Sequence, residues 1–457
     1  MPDEGAPGRS WWAQGSVRPS RLRHRLRHSR LLHNRVCDSR VVRRTVLVLG
    51  LLLCAAALVM RVRQQTGTTG FFVGLGLALL PVPVLVGVFR WLDRAEPEPW
   101  RNLLFVFAWG ACAAALAALF VNSLATSWLV ASFAASRPTD AYTWGSTMVA
   151  PVVEESVKGT AVLLLFLFRR RTFDGVTDGM VLAGITATGF AFTENVLYLG
   201  EAFGQDRDLG QTGVHSLTFA TFFIRVVMTP FAHPLFTILS GLAFGIAAAH
   251  FPHRRPLRIA LPLLGLATAA LLHSIWNTAS NMGDMGFLTV YGLFMVPVFG
   301  ALTWLALWSR RQDLLALRTF LPPYADAGWL APHEPLALSS LRTRAAARDA
   351  ARRVQGRAGA RSVAAYAATA TTLAALRRHA HRVGPGTDFR AREHVLLERL
   401  WQHKAAAGPA LAHALHTTRP LLPGLPPRPT AAPASGGGFE AGGRGEAGAP
   451  SGGEEGE

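Results

Sequence analysis

Long apolar stretches alternate with short polar segments through the first two thirds of the chain. A membrane-spanning helix needs about 20 mainly apolar residues, and about eight stretches have a suitable length and composition. They cover residues 45–60, 70–89, 103–133, 147–168, 179–200, 222–249, 259–281 and 285–308. The pattern predicts an all-α, polytopic membrane domain over residues 45–308, with about eight transmembrane helices.

The segments outside this domain are polar. Residues 1–44 are rich in Arg and His, and residues 309–407 are rich in Ala and Arg in a pattern compatible with helices. Such a charged pattern is most often a solvated helix without a specific role. Residues 408–457 are rich in Pro, Gly, Ala and Glu, a composition typical of disorder. We therefore expect a basic N-terminal arm, a helical extension and a disordered tail.

Basic residues predict the orientation in the membrane. If the N-terminal arm lies in the cytoplasm, the arginine-rich segments 90–101, 169–171 and 250–258 lie there too, as the positive-inside rule requires. The outer loops are then poor in arginine apart from Arg61 and Arg63. The sequence thus predicts a multi-pass protein of the cell membrane with both termini in the cytoplasm.

Composition narrows the class of partner. The chain is 50% hydrophobic and 16% charged, and its net charge is +18. Because the positive charge is concentrated in the arm, the loops and the tail, the lipid bilayer is the expected partner and nucleic acid is not. The three cysteines, Cys37, Cys54 and Cys112, form neither a disulfide framework nor a zinc knuckle.

The span over residues 147–168 carries three ionisable groups in one turn: Glu154, Glu155 and Lys158. Each ionised group at bilayer depth costs roughly 2.5–3.5 kcal/mol, so these residues require partners. Lys158 follows the two glutamates by four and three residues, which places its ammonium beside one or both carboxylates. A buried ion pair that only fixes helix packing is the structural alternative.

Four titratable residues lie on four successive spans, each about 14 to 16 residues from the cytoplasmic end of its span. They are Glu154, Glu194, His233 and His273. At 1.5 Å per residue they all lie roughly 21–24 Å above the cytoplasmic boundary, in the outer half of the bilayer. Independent structural residues have no reason to share a depth, so the pattern predicts one site.

Two asparagines accompany this group. Asn277 shares a helix face with His273, and Asn195 follows Glu194. A carboxylate in a low-dielectric site can take a proton from water, and His or Asn groups can stabilise an oxyanion. Alternatively, a divalent metal such as zinc could activate the water, with Glu154, Glu194, His233 and His273 as candidate ligands. No cofactor is certain from the pattern, and both routes end in peptide hydrolysis near the membrane surface.

Other interpretations of the same residues stay open. A proton- or ion-coupled transporter would use buried Glu and His groups, although it predicts internal repeats that the sequence lacks. A catalytically inactive scaffold for single-span proteins is a weaker alternative. Arg225, within the sixth span, is interpreted as an interfacial anchor, and Gly241 with Gly245 as a close-packing motif.

Several motifs follow one another in a fixed order. They are DRAEPEPW (93–100), VVEESVKG (152–159), DGVTDGMVLAGITATGFAFTEN (174–195), FAHPLFT (231–237) and HSIWN (273–277). Together they resemble the PrsW family of intramembrane proteases over residues 70–310. Relative to the wider group that includes CAAX prenyl proteases, EExxK replaces EExxxR and FxxxE replaces FxxxH, and both changes are typical of PrsW.

The resemblance implies roles for individual residues. Glu154 would activate water with Glu155 as its support, and Glu194 would take the place of the replaced histidine. The implied oxyanion-binding residues are His233, His273 and Asn277, with Lys158 and Asn195 in supporting positions. The implied substrate is a single-span membrane protein such as an anti-sigma factor, cut near the extracytoplasmic face.

Overall fold

The computed structural model describes residues 30–133, 138–168, 173, 175–251 and 254–418. These residues are almost entirely helical and include no strand, which confirms the all-α prediction. Within them, six helical runs are long and apolar enough to cross a membrane. The chain is therefore a multi-pass membrane protein. Most of the predicted N-terminal arm, the arginines at 169–171 and residues 419–457 of the predicted tail lie outside the described residues.

The helices follow one another with short connections. The first eight are α1 (Arg30–Leu79), α2 (Pro81–Leu92), α3 (Trp100–Ala108), α4 (Ala115–Phe133), α5 (Pro138–Trp144), α6 (Ala150–Phe168), α7 (Val176–Leu209) and α8 (Leu217–Phe222). The remaining eight are α9 (Ala232–His250), α10 (Arg255–Ala279), α11 (Gly283–Val290), α12 (Val296–Phe320), α13 (Pro322–Asp326), α14 (Glu334–Leu338), α15 (Leu341–Val383) and α16 (Phe389–Thr418). π-Helical turns cover Trp109–Ala114, Gly145–Val149, Phe223–Met228 and Tyr291–Met295, and a 3₁₀ turn covers Gly213–His215.

The predicted spans are helical, with two departures. The first two predicted spans share the long helical run of α1, which is broken by non-helical backbone at Gly67 (φ 69°) and followed by α2 from Pro81. The sixth is interrupted at residues 229–231. Proline disfavours helical backbone at the residue before it, and Pro230 follows Thr229. The glutamate-bearing helix α6 has 19 residues, and its three charged residues distinguish it from these six runs.

Helix α7 forms the centre of the membrane domain, and most of its residues are buried. Glycines allow its neighbours to approach closely. A Cβ atom added to Gly179 would lie 2.0 Å from the carbonyl oxygen of Gly241 on α9, and one added to Gly110 would lie 2.0 Å from that of Thr186. The predicted close packing at Gly241 is thus confirmed, and it joins α7 and α9 near the start of α7, 15 residues before Glu194.

The chain after the membrane domain is a packed helical unit with its own core. Its buried residues include Leu317, Leu338, Tyr366, Leu373 and Leu411. The region is helical as predicted, but the interpretation as a solvated helix is wrong, since alanines and leucines pack its helices against one another. Helix α16 continues to Thr418, so residues 408–418 of the predicted disordered tail are helical.

Candidate active site

Helix α6 contributes three charged side chains, and all three are buried. One helical turn separates Lys158 from both glutamates, so its ammonium lies between them. Lys158 Nζ is 2.6 Å from Glu155 Oε1 and 3.7 Å from Glu154 Oε2. The ion pair predicted from the spacing is therefore present, and it is closest to Glu155.

The carboxylate of Glu155 has a partner on each oxygen. Its Oε1 accepts from Lys158 and lies 3.1 Å from His273 Nδ1, and its Oε2 accepts a hydrogen bond of 2.8 Å from Thr237 Oγ1. Thr237 belongs to α9 and His273 to α10. Glu155 therefore links α6 to α9 and α10. It orients the imidazole of His273, as a positioning residue does.

A second carboxylate, Glu194 on α7, is held by two cationic or proton-donating groups. Arg225 Nη2 donates to Glu194 Oε2 at 2.7 Å, and His233 Nε2 lies 2.5 Å from the same oxygen. Arg225 Nε also donates to Asn195 Oδ1 at 2.8 Å, and its guanidinium lies 4.1 Å from the ring centroid of Tyr198. The π-helical turn that carries Arg225 thus binds two adjacent polar residues of α7.

Glu154 differs from both of these carboxylates. Its Oε1 has one long contact, 3.5 Å from Asn122 Nδ2 on α4. Its Oε2 is buried and accepts no hydrogen bond from any residue that the structure describes. The ammonium of Lys158 lies 3.7 Å from that oxygen, and Nε2 of His273 lies 3.9 Å from it. One carboxylate oxygen at the centre of the cluster is therefore free to bind.

The two histidines lie close together with their rings at right angles and their centroids 5.3 Å apart. Phe236 stacks on His273 at 4.7 Å, which fixes the plane of that imidazole. Nδ1 of His233 is 3.3 Å from Lys158 Nζ, and the same ammonium lies 4.3 Å from the ring centroid of Phe190. Glu154, Glu194, His233 and His273 thus meet as their common depth predicts.

The structure gives the predicted asparagines other contacts. Asn277 Nδ2 donates to the carbonyl oxygen of Ser146 at 2.9 Å, which ties α10 to the π-helical turn before α6. Asn195 reaches the cluster through Arg225. Both amides are engaged in holding helices, and the role of Asn277 toward an oxyanion stays a prediction.

The sequence pattern does not predict three residues that contact the cluster. The sequence pattern predicts an interfacial anchor at Arg225, but its guanidinium pairs with Glu194 inside the bundle. Its charge at bilayer depth was the available signal, since such a group is expected to face a partner. Thr237 and Asn122 gave no signal, because single hydroxyl and amide groups are common in membrane helices.

One ligand atom from each of Glu154, His233 and His273 lies within 4.8 Å of the others, a spacing at which a metal ion could be held. Glu194, predicted as a further candidate ligand, is not part of this group, and its Oε2 is shared by Arg225 and His233. The free oxygen of Glu154 and the carboxylate-oriented imidazole of His273 fit a divalent cation of the zinc type.

Residues 98–302 match the model of the PrsW family, described as an intramembrane metalloprotease family. Most of the membrane domain is therefore similar to the PrsW family. The matched region is narrower than the predicted 70–310, and the C-terminal helical unit lies outside it.

Curated relatives show the same similarity. The chain is 28% identical to Protease PrsW of Clostridioides difficile over 207 residues, which cover 44% of this chain and 78% of that protein. It is 28% identical to Protease PrsW of Geobacillus kaustophilus over 239 residues, or 52% and 91% of the two chains. No solved structure gives a significant match. The relatives support an intramembrane protease and give no support to the transport alternative.

Proposed function

We propose that this PrsW-family protein hydrolyses a peptide bond of a membrane-anchored protein with a water molecule activated at Glu154. The observation that carries the proposal is the free oxygen of Glu154, which lies buried among a lysine and two histidines. Glu155 and Glu194 are held by several partners each. A carboxylate that must receive a proton or bind an ion needs an unoccupied oxygen, and Glu154 has one.

Two roles for Glu154 agree with this geometry. It can take a proton from water directly, or it can bind a zinc-type cation together with His233 and His273. Because His273 Nδ1 faces the Glu155 carboxylate, its proton belongs on Nδ1 and its Nε2 presents a lone pair toward Glu154. A nitrogen that binds a metal must present a lone pair, whereas a nitrogen that stabilises an oxyanion must carry a hydrogen.

His233 differs from His273, because both of its ring nitrogens have partners. Its Nε2 faces the Glu194 carboxylate, so the proton belongs there and Nδ1 accepts from Lys158. The direction of the His273 proton therefore favours the metal route, and His233 would bind the same ion only by exchanging its Nδ1 contact with Lys158 for the metal. A bound cation would lower the pKa of water and polarise the scissile carbonyl. The protein's own part is to orient the imidazoles, to neutralise Glu155 with Lys158 and to hold Glu194 with Arg225.

We place the reaction near the extracytoplasmic face, with both termini in the cytoplasm. The support is the distribution of arginines and the shared depth of the four titratable residues. A single-span protein of the anti-sigma-factor type is the proposed substrate, since its cleavage site would lie close to the end of its span.

The test is cleavage of candidate single-span proteins co-expressed with variants of this chain. Glu154→Ala, Glu194→Ala, His233→Ala and His273→Ala are each expected to abolish the cleaved product. Glu201→Gln serves as the matched control, because Glu201 lies two turns beyond Glu194 on the same helix and outside the cluster. Cleavage that persists in all four alanine variants would remove the proposal.

Chelation separates the two routes. The purified active protein is dialysed against a chelator, and cleavage is then measured with and without added zinc. Loss of cleavage and its return with zinc would assign the metal route. Unchanged cleavage would assign the proton-accepting role to Glu154 alone.

A further inference from the structure

Helix α15 is a hairpin rather than one continuous rod. The backbone at Gly356 is non-helical, with φ 68°. On either side of it, Arg344 Nη2 donates to Thr371 Oγ1 at 2.8 Å, and a Cβ atom added to Gly359 would lie 2.9 Å from the carbonyl oxygen of Ala351. The chain therefore reverses direction at Gly356, and the two arms pack against each other.

The second arm of this hairpin lies across one end of the membrane helices. Four contacts along it are Thr371 Oγ1 to Ala95 O (3.1 Å), Thr372 Oγ1 to Glu96 Oε1 (2.6 Å), Arg378 Nη2 to Asp313 Oδ1 (2.8 Å) and Arg382 Nη1 to His250 Nε2 (3.3 Å). These partners belong to the connection between α2 and α3, to α12 and to the end of α9. Because the contacts follow one another along the arm, its axis runs along the membrane face.

The first arm is fixed to the same place. Arg344 is buried, and its Nη1 donates to the carbonyl oxygen of Ala95 at 2.8 Å while its Nε donates to that of Leu338 at 2.5 Å. Burial lowers the pKa of this guanidinium to about 10, so it stays charged at neutral pH. Both arms are therefore anchored at Ala95, and the hairpin extends beyond that point.

The end of the hairpin, residues 352–358, is the Gly356 tip. Gly356 precedes Thr371 by 15 residues, which places the tip about 22 Å beyond the anchor along the arm. Every residue of the tip is exposed, and Val354 is 83% exposed. Arg352, Arg353 and Arg357 carry its charge, and none of the three forms an ion pair within the described part of the chain.

We propose that the Gly356 tip rests on anionic lipid headgroups at the membrane face beneath the C-terminal unit. An arm that runs along this face reaches the headgroup layer once it passes the edge of the bundle. Three arginines attract an anionic surface, and an exposed valine between them can enter the apolar boundary. Asp349, one turn earlier on the first arm, is the acidic residue nearest to them in sequence.

The experiment uses the full chain in lipid nanodiscs of phosphatidylcholine alone or with phosphatidylglycerol. Cys37, Cys54 and Cys112 are replaced by serine, and an environment-sensitive fluorophore is attached through Val354→Cys. The phosphatidylglycerol discs are expected to shift its emission to the blue and to protect it from aqueous iodide. Since each arginine near an anionic surface adds roughly fivefold to binding, Arg352→Gln, Arg353→Gln and Arg357→Gln together should lower the equilibrium constant for headgroup contact roughly a hundredfold.

A second label separates this effect from a general change of the discs. Gln402 on α16 is exposed, and a fluorophore at Gln402→Cys is expected to respond equally in both lipids. High salt should reverse the shift at residue 354, because headgroup attraction is screened. Identical emission at residue 354 in both lipids would overturn the proposal and leave the tip available to a soluble acidic partner.

Discussion

Two glutamates in different halves of the molecule share an uncommon feature. Glu154 in the membrane domain and Glu334 in the C-terminal unit are both buried, and each keeps one carboxylate oxygen without a hydrogen bond to any described residue. Buried polar groups are normally paired, so each requires an explanation. Judged by burial and pairing alone, the two residues would be equally good candidates for a functional site.

Their surroundings separate them. Glu334 Oε2 accepts from the hydroxyl of Tyr366 at 2.7 Å and from the backbone amide of Ala331 at 2.9 Å. Burial and the adjacent carboxylate raise the pKa of Tyr366 above its ordinary value, so the phenol remains a donor. The free oxygen of Glu334, Oε1, faces Gly408 on α16. A Cβ atom added to Gly408 would lie 3.4 Å from this oxygen. Glu334 therefore holds α14 against α15.

Glu154 instead lies among groups of different chemistry: an ammonium, two imidazoles and a second carboxylate–arginine pair. An unpaired oxygen by itself indicates only an incomplete network. The same oxygen beside proton donors, acceptors and potential metal ligands indicates a place where a reacting molecule can bind. The difference between the two glutamates thus lies in their neighbours, and substitutions can measure it.

The largest expected effect is that of Glu154→Gln. Glutamine keeps the shape of the side chain but cannot accept the proton of water, so the initial rate of substrate cleavage should fall about 10²–10⁴-fold. The melting temperature in detergent should change little, since the substitution is isosteric and removes a buried charge. A cleavage rate close to that of the wild type would contradict the assignment.

Glu155→Gln should act on stability as well as on rate. It removes the closest anion from the fully buried Lys158, and breaking a buried ion pair in this way costs about 3–5 kcal/mol. Thermal unfolding in detergent measures the loss. Adding Lys158→Met should restore part of the stability without restoring cleavage, because the uncompensated charge is then gone. Equal melting temperatures for the single and double variants would show that Glu155 does not stabilise the protein through its ion pair with Lys158.

The meeting of the titratable groups could be predicted from the sequence, whereas their partners could not. A fixed rise per residue converts sequence position into depth, so Glu154, Glu194, His233 and His273 could be placed at one level. Which face of a helix meets which neighbour depends on tertiary packing, and the π-helical turn around Arg225 and the break at residues 229–231 alter that face.

The core of the C-terminal unit cannot be predicted from hydropathy, for a different reason. Its core contains many alanines, among them Ala347, Ala351, Ala370 and Ala374. Between arginines, such small residues give a low average hydrophobicity that resembles a solvated helix. In the folded chain they allow the arms of α15 to pack closely. The same alanines thus lower the average hydrophobicity of the sequence and allow the helices to form a close-packed core.

Arg225→Lys is expected to have an intermediate effect. Lysine keeps the charge but cannot contact Glu194 and Asn195 at once, as the guanidinium does through Nη2 and Nε. Loss of an orienting contact of this kind typically costs about 10–100-fold in activity. The reduction should appear in kcat with KM little changed, because Arg225 acts through Glu194 and His233. A change confined to KM would instead place Arg225 in contact with the substrate.

Glu334→Gln should have the smallest effect and completes the comparison. Glutamine still accepts from Tyr366 and Ala331, while its amide group occupies the unpaired position at a cost of about 1 kcal/mol. We expect cleavage within about twofold of the wild type, since no group of the cluster contacts this residue. A loss of cleavage as large as that of Glu154→Gln would mean that the C-terminal unit controls the site through its contacts at Ala95. The neighbours of an unpaired carboxylate would then be a poor guide to its function in this protein.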